Sequence, residues 1–140
     1  MNTAQPPKPA APLSKFAAAT IACGAFMGLC GIILGTLAAH GAHVEAQPLL
    51  KTASTYAMAH GMAMIPTVLA RERLAIDLVP CKILSPAILC FGSGVILFSG
   101  GLVLMSIGLN LNIVPVGGVL LMGGWSGLCV GALIHLRCKQ

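Results

Sequence analysis

From Ile83 to Leu136 the chain carries no charged side chain, and the stretches Phe16 to Val44 and Thr52 to Ala70 are charge-free as well. A water-facing surface is built largely from charges, and these stretches leave none to build it with. A helix of about 20 apolar residues, rising about 1.5 Å per residue, crosses a bilayer. The longest stretch has room for two such helices. It also has a natural break, Gly108-Leu-Asn-Leu-Asn-Ile-Val-Pro115, where Asn110, Asn112 and Pro115 supply turn chemistry and Pro suits the first turn of a new helix.

The pattern therefore predicts an all-α integral membrane protein, a bundle of four transmembrane helices over about 16–39, 53–70, 83–107 and 115–136. Composition agrees: 8% of residues are charged and 57% hydrophobic, where a soluble domain has about one quarter charged. An ordinary water-soluble enzyme is excluded on this ground. With four spans both termini share one side, and that side holds every basic residue except Lys51. The positive-inside rule then places both termini in the cytoplasm, or in the matrix if the setting is mitochondrial. The net charge of +5 reads as a topology signal. Nucleic acid is not an expected partner, because the basic residues are scattered and no aromatic platform accompanies them. Membrane lipids are.

Residues 1–15 hold Pro6, Pro7, Pro9 and Pro12 and are expected to form a mobile cytoplasmic tail ahead of the 16–140 transmembrane domain. The basic segment Arg71 to Lys82 suits a short stretch at headgroup level. The cysteines show no C-x-x-C and no zinc spacing, and read as small buried hydrophobes. No metal site, cofactor or catalytic constellation is expected. Helices in lipid associate through small residues that permit close approach. Gly24, Gly28, Gly31 and Gly35 form one stripe on the first helix. Gly100 on the third, and Gly123, Gly127 and Gly131 on the fourth, are the corresponding packing candidates.

Polar groups within the spans are the best pointers to function. Tyr56 and His60 are four apart and share a helix face. Counted from the predicted outer end, His60 lies about 10–12 Å deep, with Ser99 and Trp125 near its level. These four form a candidate polar cluster in the outer half, with His40 and His43 at the outer mouth. One reading is interhelical hydrogen bonding. A second is a proton, ion or small-ligand site on His60. A third is metal or haem ligation by the histidines. No acidic residue lies within any span, so a carboxylate relay lacks its residues.

The motifs resemble one family in order. Gly35-Thr-Leu-Ala-Ala-His40, Thr52-Ala-Ser-Thr-Tyr56-Ala-Met-Ala-His60-Gly61, Leu97-Phe98-Ser99-Gly100 and Val114-Pro115-Val116-Gly117-Gly118 with Gly123-Gly124-Trp125 are similar to the conserved pieces of the small four-helix membrane proteins grouped as domain of unknown function 423, related to the mitochondrial transmembrane protein 256 branch. The resemblance covers about residues 20–135. It departs at Leu37, Gly101 and Val114, where the family has phenylalanine, serine and threonine. It implies the fold and an inner-membrane location, and no activity. The expected function is a non-enzymatic accessory or structural component of a larger membrane complex, including a respiratory one, or a homo-oligomer. The alternative is binding or transport of a small ligand, proton or ion around His60.

Overall fold

The computed structural model describes residues 12–73 and 78–138. The expected proline-rich tail and the centre of the basic loop fall largely outside them. Four helices follow in order: α1 Lys15–His40, α2 Gln47–Arg73, α3 Leu78–Ser106 and α4 Val114–Cys138. No strand occurs among the described residues. By length and composition α1, Ile83–Ser106 of α3 and Val114–Arg137 of α4 are apolar enough to cross a membrane. The expected second span is a helix too, but α2 is not among these three. It starts six residues before the predicted span and carries Gln47, Lys51 and a run of hydroxyls at its N-terminal end, with Arg71, Glu72 and Arg73 at the other.

Local chemistry sets the helix ends. Ser14 stands in extended conformation ahead of α1, and its hydroxyl accepts a hydrogen bond from the Ala17 N–H at 3.1 Å, satisfying one orphan donor of the first turn. Beyond α3, Gly108 takes the left-handed conformation at φ +86. The Leu109 N–H bonds the Leu104 carbonyl and the Gly108 N–H bonds that of Met105, the glycine-closed C-terminal motif that stops a helix. Asn112, at φ +51, completes the turn the sequence predicted.

Successive helices run antiparallel and pack side by side, α1 on α2, α2 on α3 and α3 on α4, while α1 barely meets α3. The inner helices are therefore α2 and α3. Small buried residues recur every seven positions: Ala17, Gly24, Gly31 and Ala38 on α1; Ser54, Gly61 and Val68 on α2; Ala87, Gly94 and Gly101 on α3; Gly117, Gly124 and Gly131 on α4. A seven-residue repeat keeps one seam facing a neighbour along the whole helix. Small residues in that seam let backbones touch. A Cβ on Gly24 would lie 2.6 Å from the Gly61 carbonyl oxygen, and one on Gly61 would lie 2.7 Å from that of Gly24. On the other side, Cβ atoms on Gly94 and Gly124 would lie 2.6 Å from Leu121 and from the Phe91 ring.

Three of the packing candidates meet no close neighbour within the chain. A Cβ on Gly28 or Gly100 would meet nothing within 4 Å, and one on Gly123 meets only the Cys90 sulfur at an ordinary 3.8 Å. These glycines fall off the seven-residue seam. Gly31, Gly35, Gly127 and Gly131 do face neighbours at 3.4 Å or less. Gly24→Ala is accordingly expected to lower stability in mild detergent by about 1–3 kcal/mol, the range for overpacking. Gly28→Ala and Gly100→Ala should leave the thermal midpoint unchanged or slightly raised. Thermal unfolding of the purified variants checks the contrast.

Candidate functional site

α2 starts at Gln47, so His60 lies about 20 Å along its axis, at the middle of the helix. The ring is 6% exposed. Its Nδ1 lies 2.8 Å from the Tyr56 carbonyl oxygen, one turn earlier. A carbonyl only accepts, so in the neutral ring Nδ1 carries the hydrogen and Nε2 the lone pair. Around the imidazole stand three other rings: Tyr56 stacked at 5.4 Å, Phe91 at 5.8 Å and Trp125 edge-on at 6.1 Å. Phe98 packs on Tyr56 at 4.4 Å, and Phe91 on Trp125 at 5.3 Å. The centre is thus an aromatic cluster joining α2, α3 and α4. Such ring pairs contribute about 0.5–1.5 kcal/mol each beyond their area.

Of the expected polar cluster, Tyr56, His60 and Trp125 come together. Ser99 does not join them. Its hydroxyl donates to the Ala53 carbonyl at 2.9 Å, buried in the α2–α3 seam. The neighbouring Ser54 hydroxyl donates across the opposite seam to the Gly31 carbonyl of α1 at 2.6 Å. Two adjacent residues of α2 thereby bind it to both flanking helices. His40 ends α1, and the His43 carbonyl accepts from the Ala46 and Gln47 N–H groups at the start of α2. His40 at the end of α1 and His43 in the connecting turn are both remote from His60. No group of three His, Cys, Asp or Glu side chains is placed to hold a metal ion among the described residues.

A second pair of adjacent residues repeats the arrangement at the other end of α2. Ser14 donates to Glu72 through its hydroxyl at 2.9 Å and its backbone N–H at 3.3 Å. Arg71 pairs with Glu72 at 3.0 Å, donates to the Ser85 hydroxyl of α3 at 2.7 Å, and lies 4.7 Å over the Phe16 ring. The two Ser14 hydrogen bonds, and then the charge of Arg71, hold the Glu72 carboxyl below its ordinary value. Reading the residues alone placed Arg71 and Glu72 in a headgroup-level loop and missed this clasp. The available signal was Ser14, a helix-start residue one position before Lys15 and the apolar run from Phe16.

The Protein of unknown function (DUF423) family matches residues 34–118. That match takes in the end of α1, the turn into α2, the whole of α2 and α3, and the start of α4. No curated protein and no solved structure matches the chain.

Ser54→Ala and Ser99→Ala should each cost about 0.6–1.7 kcal/mol in detergent, the range for interhelical hydrogen bonds in membranes, and together they should cost more than either alone. The Glu72 clasp has a pH signature. A carboxyl with lowered folded pKa contributes stability above its unfolded pKa, about 4.3, and loses it as pH falls through the folded value. Hydrogen exchange in the first turn of α1 should therefore quicken below about pH 4, and Glu72→Gln should be fast at every pH.

Proposed function

The chain belongs to the Protein of unknown function (DUF423) family, and from that premise we propose that it is a non-enzymatic, four-span subunit of the inner (cytoplasmic) membrane, with both termini cytoplasmic, serving as an accessory or structural component of a larger membrane complex. The observation that carries the reading is where the hydroxyls and the central imidazole spend their hydrogen bonds. Thr20, Thr36, Thr52, Thr55, Thr67 and Ser93 each donate to the carbonyl one turn earlier. Ser54 and Ser99 donate across seams, and His60 is bound to Tyr56. Hydrocarbon offers no partner to a polar group, so spanning structures satisfy such groups internally. α2 follows this rule although its composition is the least apolar of the four.

Its length supports the same reading. The two clasps on α2, at Ala53–Ser54 and Arg71–Glu72, lie about 27 Å apart along the helix, against about 30 Å for the hydrocarbon core. Between them the path of a conduit is filled: Phe91 is fully buried, and its ring packs on His60 and Trp125. That arrangement favours a packed scaffold over transport through His60. A mitochondrial inner membrane fits the same chemistry, with the matrix in place of the cytoplasm.

Native mass spectrometry after extraction in mild detergent is expected to show a stoichiometric protein partner or a homo-oligomer. A bare monomer under every gentle condition contradicts the accessory role. His60→Phe keeps a ring among Tyr56, Phe91 and Trp125 and should leave that assembly intact.

A further inference from the structure

Because α1 barely meets α3, the two helices leave a long groove over α2, open sideways. It has two lobes that share Cys23, Met27 and Ile96. The outer lobe, about 760 Å³, reaches toward Leu104 and Ile113. The inner lobe, about 430 Å³, starts at Phe16 and runs between α1 and Ile88–Ile96 of α3 with Met64 of α2 at its floor. From Phe16 to Met27 is about 16 Å along α1, close to the half-thickness of a bilayer, about 15 Å. The inner lobe therefore spans one leaflet.

We propose that this inner lobe holds one acyl chain of an anionic phospholipid from the leaflet on the side of the termini, with its headgroup on Lys15. The inference rests on the membrane embedding proposed above. The inner lobe is a narrow slot of about 430 Å³ between α1 and α3 with α2 at its floor, suited to a slender chain. The wall chemistry excludes a polar occupant. The two hydroxyls lining the lobe, Thr20 and Ser93, already donate to the Phe16 and Leu89 carbonyls at 2.9 and 2.7 Å. What remains is hydrocarbon, which in a bilayer is supplied as lipid chains.

The sign of the rim selects the headgroup. Lys15 is exposed and lies one turn before Ala19, a wall residue, on the same face of α1. The Arg71 guanidinium lies over Phe16 at this end, and Arg73 is exposed beyond it. Glu72, the acid among them, is held by Ser14 and Arg71. A basic rim at headgroup level attracts anionic lipid.

The test uses the full chain in nanodiscs of equal phosphatidylglycerol and phosphatidylcholine, followed by native mass spectrometry. One retained phosphatidylglycerol per chain is expected. Lys15→Gln should reduce its preference over phosphatidylcholine about five-fold. Gly92→Phe fills the inner lobe, where a Cβ meets only the Met64 methyl at 3.7 Å, and should abolish retention. Gly100→Phe, directed into the outer lobe, should keep it. If Gly92→Phe fails to fold, Ala19→Phe on the opposite, exposed wall replaces it. Equal retention of both lipids, no retained lipid, or a second copy of the chain in its place overturns the proposal. Loss of lipid from a chain that resists alkaline carbonate extraction rejects this inference alone. Release by carbonate rejects the embedding with it.

Discussion

Everything in this bundle depends on backbones touching. Gly24 of α1 and Gly61 of α2 approach so closely that neither tolerates a Cβ without a shift. Around that contact the seven-residue seams of α1 and α2 align; between α3 and α4 Gly117 meets the Phe98 backbone, while Gly94 and Gly124 make room for the Leu121 side chain and the Phe91 ring. In lipid, apolar side chains gain nothing by leaving one hydrocarbon environment for another. Association has to come from close packing and from hydrogen bonds made in the seams. The glycines supply the first, and the carbonyls they expose supply the second. The Gly31 carbonyl receives the Ser54 hydroxyl because no side chain at Gly31 holds the helices apart.

The resulting architecture is organised on α2. Ala53 and Ser54 bind it to α3 and α1 at one level, and Arg71 and Glu72 do so again near its C-terminal end. Midway, His60 faces α3 and α4 through rings. A helix held in this way on both flanks can be polar in composition and still present satisfied groups to its surroundings. The α1–α3 gap is the other side of the same design: two helices clasped separately to α2 leave its far face as an apolar groove.

Much of this was legible in the residues. Charge-free runs marked α1, α3 and α4, and Gly108, Asn112 and Pro115 marked the turn between α3 and α4, because turn chemistry is local. The pairing of Tyr56 with His60 followed from four-residue spacing. The place of His60 at the midpoint of α2 did not, because α2 begins at Gln47, inside what charge alone makes a loop. The fate of Ser99 was hidden too. Depth placed it beside His60, but a helix has faces as well as levels, and Ser99 points into the seam toward Ala53. Three of the four stripe glycines on α1 face close neighbours and Gly28 does not, for a related reason. Spacings of 4, 3 and 4 include residues on and off a seam, and the seven-residue subset, Gly24 with Gly31, is where an added Cβ would meet the α2 backbone.

On this reading α2 crosses the bilayer as the inner helix of the bundle despite its polar composition. Thr55, Met62 and Leu69 are exposed and seven apart, so they mark one outward line down α2. The direct measurement is the depth of a spin label at each position, in a background with the native cysteines replaced, in a reconstituted bilayer. Met62 should lie deepest, near the bilayer centre, with Thr55 and Leu69 each about 10 Å nearer opposite surfaces. Three equal, shallow depths would place α2 on the membrane surface and contradict the account.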